Sequence, residues 1–221
     1  MTELLYLRDQ FTTTAAAQVE KIVIDDTVSL ILNATIFYPQ GGGQPCDTGT
    51  IASTTAKFQV TSVKKIDGIV NHFGRFLHGE MHPKETVTLS IDASKRKLHS
   101  RLQSAGHLVD AALHSLGLTH LEPLKGYHFP DGPYNEYQGI IDNPEEMKGK
   151  IEREANLLIN RGLPVIVTFA PDGKTRFVTI KGYPPIPCGG THVTSLQEIG
   201  SLTIRKLRST KGLTRIAYAI A

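Results

Sequence analysis

The chain is short of several things, and each shortage narrows what it can be. It has only two cysteines, Cys46 and Cys188, in 221 residues; one pair is the most they could form, an intracellular chain of this size has little need of it, and both are read as thiols. Long apolar runs are missing: Met1-Thr2-Glu3-Leu4-Leu5 reaches the charged Arg8 and Asp9 almost at once, which argues against a leader or membrane partner and for a soluble cytoplasmic protein. Charge of one sign is scarce too. The 24 Lys and Arg against 21 Asp and Glu leave a net +3, too little to demand an anionic partner. That balance is uneven, because no acid follows Glu198 while Arg205, Lys206, Arg208, Lys211 and Arg215 come in close order. Such a stripe suits phosphates, and equally suits the solvated edge of a C-terminal sheet. Internal repeats and low-complexity tracts are absent. The one glycine-rich segment lacks the Gly-Lys-Ser/Thr of a phosphate-binding loop and opens no helix.

With 40% hydrophobic residues the chain can bury a sizeable core, and a change of texture near residue 92 favours two domains over one. Before that point lie short β-branched or alternating stretches, expected as strands at Val19–Ile24, Val28–Leu32, Phe58–Val63 and Val87–Ile91. This half reads as a small all-β domain, residues 1–92. From Ser94 to Leu116 apolar residues recur every three or four positions (Leu98, Leu102, Ala105, Val109, Ala112), with Gly117 where a C-terminal cap belongs. A second helix is expected from Asn143, an N-cap followed by Pro144, to Arg161. Strands are expected at Pro164–Ala170, Thr175–Lys181, Ile199–Leu207 and Leu213–Ile220, with a hairpin turn at Asp172-Gly173. Residues 93–221 therefore read as α+β.

The most informative stretch is Cys188-Gly189-Gly190-Thr191-His192. Cys-x-x-x-His can aim a thiolate and an imidazole at one zinc ion, and the two glycines let the backbone fold tightly enough for both to converge. His107 on the first helix completes a set of three ligands, leaving the fourth position for water or substrate, as in catalytic sites. Gln103, one turn before His107, shares its face, whereas His99 has rotated roughly 80° away at about 100° per residue. Gln103 is therefore the metal's nearer neighbour. The second candidate segment is Phe37-Tyr38-Pro39-Gln40-Gly41-Gly42-Gly43-Gln44-Pro45. Three successive glycines fit a close approach of backbone to a substrate, or a sharp bend.

Thr35-Ile36-Phe37-Tyr38-Pro39-Gln40-Gly41-Gly42-Gly43-Gln44-Pro45, then Gln103-Ser104-Ala105-Gly106-His107-Leu108, then Pro187-Cys188-Gly189-Gly190-Thr191-His192-Val193 stand in the order found in alanyl-tRNA editing proteins. Ile199-Gly200-Ser201 and Lys211-Gly212-Leu213-Thr214-Arg215-Ile216 extend the likeness to the end, so it covers nearly the whole chain. The sequence resembles the free-standing AlaX family and the editing domain of alanyl-tRNA synthetase. Threonyl-tRNA synthetases carry similar metal motifs, but Gly-Gly-Gly-Gln favours the alanyl branch.

The resemblance implies an α+β protein with an N-terminal glycine-rich small β-barrel domain followed by a zinc-binding editing domain. It implies a zinc-dependent deacylase that acts on the acceptor end of mischarged tRNA(Ala), chiefly seryl-tRNA(Ala) and also glycyl-tRNA(Ala). Thr35 and Gln44 match family positions lining the substrate pocket, and a threonine hydroxyl suits serine's hydroxyl. The family helix presents His-x-x-x-His where this chain has Gln103-x-x-x-His107. Either zinc keeps three protein ligands and water or its binding is weakened, and three ligands are compatible with catalysis. The rival readings are a noncatalytic RNA-binding module with a structural metal, editing of seryl-tRNA(Thr), and a cysteine hydrolase using Cys188 as nucleophile. His128 is read as a loop histidine, with replacement of the missing ligand or a substrate contact as the alternatives.

Overall fold

The computed structural model describes residues 2–173 and 175–221. It is mixed α and β, and by internal contact it divides into two compact units. Residues 1–41 and 45–97 form one; residues 42–44 and 98–221 form the other. Each unit has its own apolar core.

The first unit begins with β1 (Glu3–Leu4) and a single helical turn α1 (Leu5–Arg8), followed by β2 (Thr14–Ile24), β3 (Val28–Leu32) and β4 (Ala34–Thr35). Next come β5 (Gly49–Ala52), β6 (Lys57–Ile66), β7 (Ile69–His78) and β8 (Thr86–Ile91). Six of these close into a barrel in the order β2-β3-β7-β6-β5-β8. Closure leaves no unpaired edge along the ring. Inward residues such as Val19, Leu30, Leu32, Ile51, Phe58, Val60 and Leu89 fill it. The four expected strands fall within β2, β3, β6 and β8, whereas β5 and β7 were not anticipated. A buried ion pair fastens the unit: the Arg96 guanidinium bonds both Asp47 oxygens and also donates to the carbonyls of Gln10 (2.7 Å) and Ile36 (2.6 Å).

The second unit holds most of α2 (Ala93–Ser115), then β9 (Glu122–Tyr127), β10 (Tyr134–Gln138), α3 (Pro144–Asn160), β11 (Val165–Phe169), β12 (Arg176–Ile180) and β13 (Ile186–Pro187). A 3-10 turn, Leu196–Ile199, precedes β14 (Leu202–Thr210) and β15 (Leu213–Ile220). The strands make two sheets, β14-β15-β10-β9 and β11-β12-β13. Helix α2 ends as its sequence announces. Gly117 takes φ +74°, its N–H bonds the His114 carbonyl, and Leu118 N–H reaches back to Leu113, the paired bonds of a Schellman cap. Other expectations need correcting. Asn143 precedes α3 in a left-handed conformation with no side-chain cap; its carbonyl instead accepts from Glu146 and Met147. The strand expected from Ile199 starts at Leu202, because Ser195 and Glu198 form a capping box around the 3-10 turn and Gly200, at φ +85°, ends it. No helix among the described residues is long and apolar enough to cross a membrane.

Candidate metal centre

Helix α2 supplies one wall of the site and the loop after β13 the other. Gln103, Ser104, His107 and Asp110 recur at three- and four-residue spacing, so one helical face carries them all. The ligand atoms of His107, Cys188 and His192 lie within 4.8 Å of one another, and the two imidazole centroids are 5.1 Å apart. His192 is fully buried, and the side chain of His107 is only 12% exposed. The three expected ligands therefore come together.

Their protonation states are interlocked. Burial alone would raise the Cys188 thiol, but hydrogen bonding and charge from His107 and His192 prevail and bring it down to about 4. Burial likewise opposes charge on His107, yet the Asp110 carboxylate and the Cys188 sulfur outweigh it and raise the imidazole to about 10. His192 falls to about 4, first through burial and then through the positive charges of His107 and Arg176. The metal-free site at neutral pH is thus a thiolate and an imidazolium beside a neutral imidazole. A divalent cation can take the place of the His107 proton.

Around the ligands a further set of groups fixes their orientation. Asp110 Oδ2 lies 3.5 Å from His107 Nδ1, and Asp110 Oδ1 accepts from Tyr137 (2.6 Å) and Asn135 (3.2 Å). This carboxylate-to-imidazole contact is the usual way a ligating histidine is aimed. Ser104 Oγ stands 3.3 Å from His192 Nδ1 and accepts from Val193 N–H, which leaves Nε2 as the ring nitrogen suited to ligation. Gln103 Nε2 is 3.3 Å from both Cys188 Sγ and the Gly42 carbonyl. Both neighbours are acceptors, so the amide turns its nitrogen to them. Gln103 thus meets the thiolate as a donor, alongside Gly190 N–H at 3.4 Å.

The Cys-x-x-x-His loop bends at Gly190 and is braced from several sides. Neither Gly189 nor Gly190 has positive φ; a Cβ at Gly190 would sit 2.9 Å from Gln103, so this glycine clears room for that side chain. Gln44 clamps the loop with both ends of its amide, accepting from Thr191 N–H (2.9 Å) and donating to Thr191 Oγ1 (3.0 Å). Ser100 bonds the same hydroxyl at 2.7 Å. Arg176 donates to the carbonyls of Cys188 and Gly190.

His128 is the residue that sequence reasoning undervalued. It is buried in a slot bordered by Gly43, Gly106 and Gly126, where a Cβ at any of the three would come within 3.0 Å of its ring. Tyr218 spends its phenolic proton on the Leu102 carbonyl (2.9 Å), so at 2.7 Å it accepts from His128 Nδ1. Nε2 then carries the lone pair. Burial first, and the His107 charge second, lower this imidazole to about 4. A cleft of about 270 Å³ gathers His107, Asp110, Gln103, His128, Cys188 and Glu136 on its walls. The glycine-rich segment has two positive-φ residues, Gly42 and Gly43, and Gly43 runs so close to Gly126 that a Cβ would lie 2.4 Å from its carbonyl oxygen.

Thr35 belongs to the barrel unit, where it is fully buried. His72 Nδ1 must donate to the Leu30 carbonyl (2.9 Å). Its Nε2 therefore accepts, and the Thr35 hydroxyl donates to it at 2.8 Å while receiving Phe37 N–H at 3.0 Å.

Two family descriptions match the chain: tRNA synthetases class II (A) over residues 7–95, and the threonyl and alanyl tRNA synthetase second additional domain over residues 175–217. The chain is 34% identical over 214 residues to an alanine–tRNA ligase of Methanothrix thermoacetophila, covering 86% of this chain and 23% of the ligase. It is 29% identical to the alanyl-tRNA editing protein AlaX-L of Pyrococcus horikoshii, over 99% of this chain and 58% of that protein. With AlaX-M of Methanosarcina barkeri the identity is 30% over 240 residues, 99% of this chain and 98% of the relative. The chain thus spans about a quarter of the ligase and nearly the full length of AlaX-M. On that end-to-end match, the chain belongs to the alanyl-tRNA editing protein family.

Proposed function

We propose that this protein is an aminoacyl-tRNA deacylase that hydrolyses mischarged tRNA(Ala), chiefly seryl-tRNA(Ala) with glycyl-tRNA(Ala) second, at a zinc ion held by His107, Cys188 and His192. The observation that carries the reading is the convergence of one thiolate and two imidazoles within 4.8 Å in a chain aligned end to end with an alanyl-tRNA editing protein. The donor set fits zinc: a Cys thiolate and His nitrogens are both zinc ligands, and three protein ligands keep the fourth position open. When bound, zinc supplies a Lewis acid for the ester carbonyl or the attacking water.

The chain's own residues do the rest. Gln103 and Gly190 N–H donate to the Cys188 sulfur and spread its negative charge. Asp110 aims His107. His128, neutral and with Nε2 as its acceptor, holds a water or takes up its proton in the same cleft. Gln44 acts as a positioning residue for Thr191 and its loop. For Thr35 the proposed task is recognition: with its proton committed to His72, its oxygen can still accept from serine's hydroxyl, which alanine lacks. In this reading residues 1–92 are the barrel domain and 93–221 the editing domain.

The test is deacylation of seryl-, glycyl- and alanyl-tRNA(Ala), beside seryl-tRNA(Thr), with protein of measured zinc content before chelation, after it, and after zinc is restored. Loss of serine from tRNA(Ala) that follows zinc content and spares alanine is expected; no hydrolysis by zinc-loaded protein refutes the reading. A second reading draws on the metal-free thiolate–imidazolium pair, which is also how a nucleophilic cysteine is activated. It requires full activity in zinc-free protein and its abolition by iodoacetamide.

A further inference from the structure

The sheet β14-β15-β10-β9 carries an outward arrangement that the metal centre does not need. Its registers set Tyr127, Tyr134, Ala217 and Lys206 in one row across the strands, and Lys125, Glu136, Arg215 and Arg208 in the next. Asn135, Ile216 and Leu207, between the rows, are buried, so both rows face away from the core. Tyr127 stacks on Tyr134 with ring centroids 5.3 Å apart and planes 18° from parallel, and on Phe129 at 4.5 Å and 12°. The Arg215 guanidinium lies 4.3 Å over the Tyr134 ring, and the Lys125 ammonium 6.0 Å from it. Three rings in a partly exposed stack, capped by a guanidinium, do nothing for the apolar core.

Charge on this face is predominantly positive. Its only acid in the two rows, Glu136, is engaged by Arg215 through Nε at 2.8 Å. Among the described residues Lys125, Lys206 and Arg208 have no carboxylate within ion-pair distance. The surface also leads somewhere, since Lys125, Gly126, His128 and Glu136 line the cleft that holds His107 and Cys188.

We infer that this face binds an unpaired RNA strand, whose bases continue the Tyr134–Tyr127–Phe129 column at its Phe129 end and on the Arg215 guanidinium that Tyr134 carries, and whose phosphates pass Lys125, Arg208 and Lys206. Every base has a π-face, and aromatic platforms in basic grooves are how single strands are held without reading sequence. A duplex hides those faces within its own stack. Resting on the deacylase reading, the strand is the single-stranded 3′ end of the charged tRNA, and the platform delivers its terminal ester to the cleft. The basic C-terminal stripe then meets phosphates through Lys206 and Arg208.

The experiment compares binding of an uncharged hairpin RNA with a four-nucleotide unpaired 3′ extension and the same hairpin cut blunt, over a range of salt. Tyr134→Leu is expected to weaken the extended hairpin roughly tenfold, within what one base–aromatic stack supplies, and to leave the blunt one unchanged. Tyr134→Phe should retain binding. Arg208→Gln should lower the slope of log affinity against log salt by about 0.7, one single-strand phosphate contact. Circular dichroism of each variant confirms its fold. Equal affinity of Tyr134→Leu and wild type for the extended hairpin overturns the inference, as does an equal loss for both RNAs. Extension binding that depends on Tyr134, in a protein that hydrolyses no mischarged tRNA, refutes the deacylase reading and leaves this surface standing; hydrolysis with unaltered Tyr134→Leu binding does the reverse.

Discussion

His72 makes the barrel's stability depend on pH in a way that can be worked out from its surroundings. The imidazole is fully buried, with the Phe37 ring edge-on at 5.4 Å, Leu30 carbonyl on Nδ1 and the Thr35 hydroxyl on Nε2. None of these is an ionised group. Burial therefore lowers its pKa to about 4, against a smaller upward pull from the Leu30 carbonyl. The folded value lies below the unfolded one, so the unfolded chain takes up the proton first. Stability from this group is fully present above the unfolded value near 6.5 and drains away as pH falls toward 4. The gap of roughly 2.5 units corresponds to about 3 kcal/mol in all, of which about 2 kcal/mol is gone by about pH 5.

Urea unfolding of wild type and His72→Gln, each at about pH 7.5 and about pH 5, isolates this group, because every other titration is shared. Glutamine is expected to cost stability at the higher pH but to remove about 2 kcal/mol of the acid-induced loss. The same proton reaches the proposed recognition residue. A charged His72 must donate from Nε2, so Thr35 would have to give up donating there and accept instead. Identical pH dependence in the two proteins would refute the burial argument for His72 and with it the assigned direction of the Thr35 hydrogen bond.

Arg96→Met should destabilise the protein by about 3–5 kcal/mol, because Asp47 is left buried without its counter-charge. Adding Asp47→Asn should recover part of that loss, and denaturant titration of the single and double variants reads both. Gln44→Met keeps the volume but strands the buried Thr191 N–H, a loss of about 1–3 kcal/mol. If Gln44 holds the loop, the variant also gives up zinc to a competing chelator more readily; unchanged retention would deny it that role.

How much of this was legible in the sequence depended on whether a signal was local. The Gly117 cap, the apolar stripe of α2 and the Cys188-to-His192 spacing need only neighbours along the chain, and each reads directly. β9 and β10 do not. In Tyr134–Gln138 the alternation is disguised, because one of its inward residues is Asn135, buried where it donates to the Gly106 carbonyl, Asp110 and the Tyr137 hydroxyl. A polar residue whose amide nitrogen is engaged by partners 2 to 29 positions away looks, in sequence, like a solvated one. Asp47 and Arg96 hid for the same reason, being 49 residues apart. Asp110 left a trace, an acid three positions after His107, but on its own that spacing describes any amphipathic helix.

The glycines combine a backbone constraint that the sequence announced with a side-chain constraint that it did not. Their runs suggested backbone freedom: a tight turn at Gly189-Gly190 and a bend or a close approach to substrate at Gly41-Gly42-Gly43. Positive φ is used at Gly42 and Gly43, but the sharper constraint is the missing Cβ. Gly190 stands aside for Gln103, and Gly43, Gly106 and Gly126, drawn from three distant segments, together shape the slot of His128. Each substitution to alanine there drives a methyl into an imidazole or an amide that touches the metal cleft. A set of glycines scattered over the chain, each within reach of one side chain, makes room for that side chain where any larger residue would displace it. The slot admits the ring and the Tyr218 hydroxyl orients it, so the tautomer set by Tyr218 and Leu102 leaves the lone pair on Nε2.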